Sequence, residues 1–418
     1  MGYTENLIDF IGKSTDCYHA VKTAKDRLDE NGFTELFEGD KWDVQSGGKY
    51  YVIRNSSSII AFEMPKKDFG AFMICASHTD SPSFKLKPDF EINADGCIKL
   101  SVEGYGGMIM SSWLDRPLSI SGRIVTAKDG KIETKLVNID RDLLVIPSLA
   151  IHMSRDINKG YEFNIRRDMC PIASEKNGRI EDVIAENVSV DKEEILGFDL
   201  SLYNRMRGTV LGADGEYFSA PRIDDLQCMY STLEGFLNSE SDDNVTVFAA
   251  FDNEEVGSGT KQGAKSSFLR DVLERICNNS ETYKRAVAKS FMLSCDNAHA
   301  VHPNFADKSD GTNRVYMNGG IVIKYNANQR YTTDAVSEAV VKYVCKNAGV
   351  PYQMYANRSD IPGGSTLGNL SNEKVSLNTA DIGLAQLAMH SSYETAGSRD
   401  TEYMVKMIKE FYKTEIVF

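Results

Sequence analysis

Two histidines and a few carboxylates draw attention because of where they fall relative to apolar runs. His78-Thr79-Asp80 closes the run from Gly70, Asp252-Asn253-Glu254-Glu255 closes the run from Val245, and Ser294-Cys295-Asp296 closes a third from Lys289. Asp224 opens a helical pattern, and His390 sits in Leu387-Ala388-Met389-His390. Histidine and carboxylate without Cys suit Zn²⁺ or Co²⁺ in a hydrolytic site. Three carboxylates and two imidazoles are enough for two ions sharing a bridging carboxylate. Such a pair generates hydroxide at neutral pH.

The spacings have their own logic. Residues two apart on a strand point to the same side, so Asp80 can hold the His78 ring in one tautomer. Adjacent Glu254 and Glu255 must diverge, so one can ligate metal while the other handles protons; spacing leaves open which. Singly, each feature has an ordinary explanation. A His-x-Asp arises by chance, a Glu-Glu pair is commonly a solvated surface, and an Asp at a helix start is commonly a cap. Their coincidence at three successive strand ends sets them apart, because ligands of open α/β sheets bind outside the carboxyl ends of the strands.

The elements that must carry these groups follow from periodicity. Leu7, Ile8, Phe10 and Ile11, then Val21, Ala24 and Leu28, repeat at helical spacing up to Gly32. Buried-strand patterns lie at 70–78, 245–252, 289–296 and 320–325; helices are expected from Asp224, from Asp334 to Lys346 and from Thr401 to Lys413. Strands alternating with helices predict a mixed, largely parallel sheet with helices on both faces. Between about 90 and 213 the texture turns to alternating segments with Asp-Gly turns at Asp95-Gly96 and Asp129-Gly130, read as an all-β insertion. The expected organisation is therefore 1–89 with 214–418 as a discontinuous catalytic domain and 90–213 as an inserted β-rich domain.

With 418 residues, 42% of them hydrophobic, the chain can bury a large core. A net charge of −13 and no Lys/Arg-rich block argue against nucleic acid or an anionic membrane surface as partner. Eight scattered cysteines without a C-x-x-C pair fit a reducing cytoplasm. Glu5 and Asp9 interrupt the start, so no secretory leader is expected, and no apolar run is long enough to span a membrane.

On these residues the chain resembles the M18 metalloaminopeptidases, the aspartyl aminopeptidase group. The matching motifs are SHTDSPSFKLKP from Ser77, YGG from Tyr105, WLDRPL from Trp113, IPSLAIH from Ile146, SAPRIDDL from Ser219, DNEEVGS from Asp252, CDNAHAVHPN from Cys295, IKYNANQRY from Ile323 and QLAMHS from Gln386. Asp225 stands where the family often has Asn, and Asn297 where it often has Met.

The resemblance implies a zinc-exopeptidase-like catalytic domain with an inserted dimerisation domain. It implies two Zn²⁺ per subunit, replaceable by Co²⁺ or Mn²⁺. His78, Asp224 and Asp296 would hold one ion, with Asp224 bridging, and Glu255 and His390 would complete the other. Glu254 would be the general base and Asp80 a further catalytic residue that orients the His78 ring, while His152 would donate to the oxyanion and Lys324 would line the side-chain pocket. His299 and His302 would support rather than ligate. The implied activity is removal of the N-terminal residue of peptides, favouring Asp or Glu, by a homo-oligomer assembled from dimers into a dodecamer. A di-zinc deacylase or neutral-residue aminopeptidase, a two-metal phosphohydrolase and a catalytically silent assembly protein are the competing readings. The retained Glu254 and ligand set argue against the silent protein, and the scarcity of Lys/Arg clamps against the phosphohydrolase.

Overall fold

The two most apolar runs dictate the central layer. In the strand Phe72–His78, Met73 and Cys75 turn into one hydrophobic cluster while Phe72, Ile74 and Ala76 turn into another. Val245–Phe251 divides the same way, Phe248 and Ala250 against Val247, Ala249 and Phe251. A strand apolar on both faces needs cover on both. In this computed structural model, which describes residues 2–277, 279–361 and 363–416, helices Tyr3–Lys13, Cys17–Glu30, Ile223–Leu237, Ala335–Ala348 and Asp400–Lys413 supply one layer. Phe268–Ile276 and Ser280–Lys289 contribute to the other.

The central sheet has nine strands, in spatial order Thr34–Glu35, Lys49–Arg54, Ser58–Glu63, Val245–Phe251, Phe72–His78, Phe291–Cys295, Asn378–Gly383, Ile321–Tyr325 and Tyr352–Ala356. Its middle run from Val245–Phe251 to Asn378–Gly383 is parallel throughout, with antiparallel pairings on either side. Fold class is therefore the expected mixed, largely parallel sheet between helices. Met1 and residues 278, 362, 417 and 418 of the expected catalytic segments lie outside the described residues.

A second, six-stranded sheet is antiparallel and has its own core around Phe84, Trp113, Ile120 and Leu200. Its strands run from Ser83–Ala94 to Ile195–Asn204. Asp129 and Gly130 both take positive φ between Lys128 and Lys131, as a two-residue type I′ hairpin requires. The region is β-rich rather than all-β, because helices Ile165–Asp168 and Ile180–Asn187 interrupt it. The second buries Ile180 and Ile184, an i,i+4 pair too short to stand out in sequence.

A third sheet of five short strands, in the order Thr209–Leu211, Tyr217–Ala220, Glu394–Gly397, Ala385–Leu387 and Ala298–His299, was not apparent in the sequence. It ties together the approach to Asp224, the hairpin that carries His390 and the segment after Asp296.

Candidate active site

Register places the three strand ends side by side. Phe251 pairs with His78, and Ser294 pairs with Ala76, so the residues that follow emerge at one edge. His78 is the last residue of its strand, Asp296 follows Cys295, and Glu254 and Glu255 begin a short 3₁₀ turn after Asn253, whose φ of 63° reverses the chain. Asp224 lies at the entrance of helix Ile223–Leu237, where it and Asp225 are still non-helical.

The side chains converge. Oδ1 of Asp224 lies 3.5 Å from Nε2 of His78, and its Oδ2 lies 3.4 Å from Nε2 of His390, which is also 3.4 Å from Glu255 Oε1. His78, Asp224, Asp225 and Asp296 form one grouping of metal-ligating type, Asp224, Glu255 and His390 form another, and His78, Glu254 and Glu255 a third. Lys324 is buried beside them, its Nζ 3.4 Å from Asp296 Oδ1 and donating to the Asn297 carbonyl at 2.8 Å.

Supporting carboxylates act mainly on backbone. Nδ1 of His78 meets the Asp80 carbonyl at 3.0 Å, whereas the Asp80 carboxylate stands 3.5 Å away. That carboxylate instead accepts from the N–H groups of Glu254 and Glu255 at 3.1 and 3.2 Å and from the Tyr105 hydroxyl at 2.6 Å. Asp225 accepts the His78 N–H at 3.1 Å. Glu394 accepts those of Asp224 at 3.1 Å and His390 at 2.7 Å. Sequence reasoning missed Glu394 and the Asp225 contact; the only signal for Glu394 was its place four residues after His390.

Electrostatics set these groups apart from surface carboxylates. Burial alone would lower the His78 imidazole, yet Asp225, Asp224 and Asp80 hold it well above its usual range. Burial would raise Asp224, but His390 and His78 pull it far down. Burial, opposed by His78 and reinforced by Asp296 and Asp80, pushes Glu254 up to about 8. Burial and Asp224 raise Glu255 well above the carboxylate range. Such divergent environments mark functional sites.

The donor set fits divalent metal. Asp224 Oδ1, Asp225 Oδ1 and Glu255 Oε1 are buried with no hydrogen-bond partner among the described residues. Buried carboxylate oxygens carry a large desolvation cost unless a cation or donor meets them. Imidazole with carboxylate, and no thiolate among the grouped residues, suits zinc.

His152 does not join this cluster. It is exposed in the 150–153 turn, among exposed Ile151 and Met153. His299 and His302 line a cleft of about 380 Å³ with Tyr355 and Met389, next to His390.

A mixed α/β sheet with paired His/carboxylate groupings at its strand ends belongs to the architecture of metal-dependent hydrolases. Residues 10–412 match the family described as Aminopeptidase I zinc metalloprotease (M18). A probable M18 family aminopeptidase 2 of Clostridium novyi (strain NT) is 45% identical over 426 residues, spanning 98% of each chain. A chain in the cryo-EM structure of the Ape4 and Nbr1 complex superposes with a TM-score of 0.95 at 35% identity, covering 98% of this chain and 85% of that one. A chain of the S. cerevisiae mApe1 dodecamer gives 0.85 at 29% identity, covering 98% and 96%. The chain belongs to the M18 family of zinc metalloproteases, and its chemistry class is that of an aminopeptidase.

Proposed function

We propose that this protein is a di-zinc aminopeptidase that removes the N-terminal residue of peptides, with a preference for Asp or Glu. The observation that carries the reading is the division of labour within Asp224, one oxygen toward His78 and the other toward His390. That division supports Asp224 as a carboxylate that two ions would share. His78 and Asp296 would complete one ion's protein ligands, and Glu255 and His390 the other's. When bound, the zinc pair lowers the pKa of water and polarises the scissile carbonyl.

The chain's own groups then have assignable tasks. Glu254, left over once the five ligands are assigned and half-buried beside them, takes the proton from water and returns it to the leaving amine. Asp80 fixes the 253–255 turn through the two N–H groups it accepts. The surplus carboxylates around the ligands attract the free α-ammonium of a substrate, which confines cleavage to the N-terminus. Lys324 offers its charge to an acidic first side chain.

The β-rich insertion, expected over 90–213, is the proposed dimerisation domain, and dimers build a dodecamer. Its loop carries exposed Leu149, Ile151 and Met153 around His152, which supports contact with a second copy. His152 then serves the neighbouring subunit's oxyanion. Among the described residues no helix is long and apolar enough to cross a membrane, and all eight cysteines are free, which supports a reducing cytoplasm.

Chelation followed by metal return tests the core of the reading. Chelated enzyme should be inactive toward Asp-, Glu- and Ala-amide chromogens, Zn²⁺, Co²⁺ or Mn²⁺ should restore it, and N-acetylated amides should stay uncut. Full turnover by metal-free enzyme would remove the proposal.

A further inference from the structure

Glu394 is a buried carboxylate near the site that the reaction as described does not use. It opens the strand Glu394–Gly397, paired with Ala220 on the strand that leads into Asp224, and it is 2% exposed. Its Oε2 accepts the N–H of Asp224 at 3.1 Å; its Oε1 accepts the N–H of His390 at 2.7 Å and Gln386 Nε2 at 3.1 Å. One carboxylate thus grips the peptide groups of two residues far apart in sequence.

What it grips is a strained turn. His390 has φ 66° and Ala388 φ 55°, left-handed values that non-glycine residues adopt only when their surroundings enforce them. The Ile109 N–H holds the His390 carbonyl from the other side at 3.0 Å. Gln386 is itself fixed, since its Oε1 accepts from Asn297 Nδ2 at 2.7 Å, and that amide also donates to Gln227 Oε1 at 2.8 Å. Asn297 follows Asp296, so the chain of amides links Glu394 to the neighbour of a further carboxylate of the cluster.

Donor counting makes the carboxylate irreplaceable. All three partners are N–H donors, and a carboxylate is acceptor-only at both oxygens. The isosteric amide would turn an NH₂ toward at least one of them.

The structure assigns Glu394 as a positioning residue that fixes Asp224 and His390 by their backbones and so shapes the metal position those two share with Glu255. The inference rests on the ligand reading given above. It predicts a larger effect on the ion of Glu255 and His390 than on that of His78 and Asp296, because Asp224 is shared by both whereas His390 serves the former alone and His78 is held by Asp225 and Asp80 instead.

The test is zinc stoichiometry and affinity in Glu394→Gln, measured by competition with a chromophoric chelator. The wild type should hold two Zn²⁺ per chain. The variant should hold the ion of Glu255 and His390 roughly 10- to 100-fold more weakly, the range expected when an outer partner of a ligand is lost, and the ion of His78 and Asp296 should be less affected. The visible spectrum of the second Co²⁺ equivalent should change more than that of the first. The melting temperature of metal-free protein should move less than that of metal-loaded protein, which a merely structural role would not produce. Two ions bound with wild-type affinity and spectrum, or both weakened equally, would overturn the assignment. If Glu394→Gln does not fold, Glu394→Asp, which keeps the charge but shortens the reach, should lose the same ion. Failure of the wild type to bind two ions would instead overturn the ligand reading, and the assignment with it.

Discussion

The ammonium nitrogen of Lys324 lies 3.4 Å from Oδ1 of Asp296, and both side chains are buried. Burial would discharge this lysine, but Asp296, Tyr331 and Asp381 hold its pKa above the usual value. One of its three protons goes to the Asn297 carbonyl and one faces Asp296, leaving one for a substrate carboxylate. A hydrogen bond to a charged group contributes about 1.5–3 kcal/mol, so Lys324→Met should lower the kcat/KM ratio of Asp-amide over Ala-amide roughly tenfold or more. An unchanged ratio would place the selectivity elsewhere.

Glu254→Gln keeps size and removes the base. With Asp80 still accepting the N–H groups of residues 254 and 255, the turn should stay in place. We expect kcat to fall about 10²- to 10⁴-fold with two metals per chain retained, read by turnover and metal analysis on the same preparation. Collapse of the metal content would make Glu254 a ligand and exchange the roles of the pair.

The strand ends were legible because runs such as Phe72–His78 are apolar on both faces and short, as a buried central strand is. Their convergence followed from the placement of ligands in open sheets. The five-stranded sheet was not legible: strands of two to four residues, such as Ala298–His299 and Glu394–Gly397, carry too little alternation to register. Glu394 was hidden with it. Asp80 was read as the keeper of the His78 ring from the period of a strand, whereas its backbone carbonyl meets the ring and its carboxylate turns to Glu254 and Glu255. Alternation fixes which side a residue faces; it does not rank the donors waiting there.

Asp16, which is not among the proposed metal ligands, offers a stability test. It caps helix Cys17–Glu30 by accepting from Tyr18 and His19 N–H at 2.8 and 3.1 Å, and its Oδ2 lies 2.7 Å from His19 Nδ1. Burial would raise its carboxyl, but His19 and Ser121 hold it below its ordinary 3.8. A depressed acid contributes stability that is present above the unfolded value and lost as pH falls through the folded one. Asp16→Ala should therefore cost about 0.5–2 kcal/mol near neutral pH, and the gap to wild type should narrow below about pH 4, measured by urea unfolding. A gap independent of pH would assign the loss to packing.

His152 poses the question of assembly. It is exposed beside exposed Ile151 and Met153 and lies outside the cluster formed by His78, Asp224, Glu255, Asp296 and His390. If it serves a neighbouring subunit, two inactive variants can complement each other. Glu254→Gln and His152→Phe should each be nearly inactive alone. Co-expressed, a mixed dimer contains one site with its own Glu254 and a borrowed His152, so activity should return to that site. If His152 acts within its own chain, every site lacks one group and none recovers. Differently tagged subunits allow heterodimers to be purified before assay, which separates absent assembly from absent rescue. Verified heterodimers without activity would refute action in trans while leaving the di-zinc aminopeptidase reading intact.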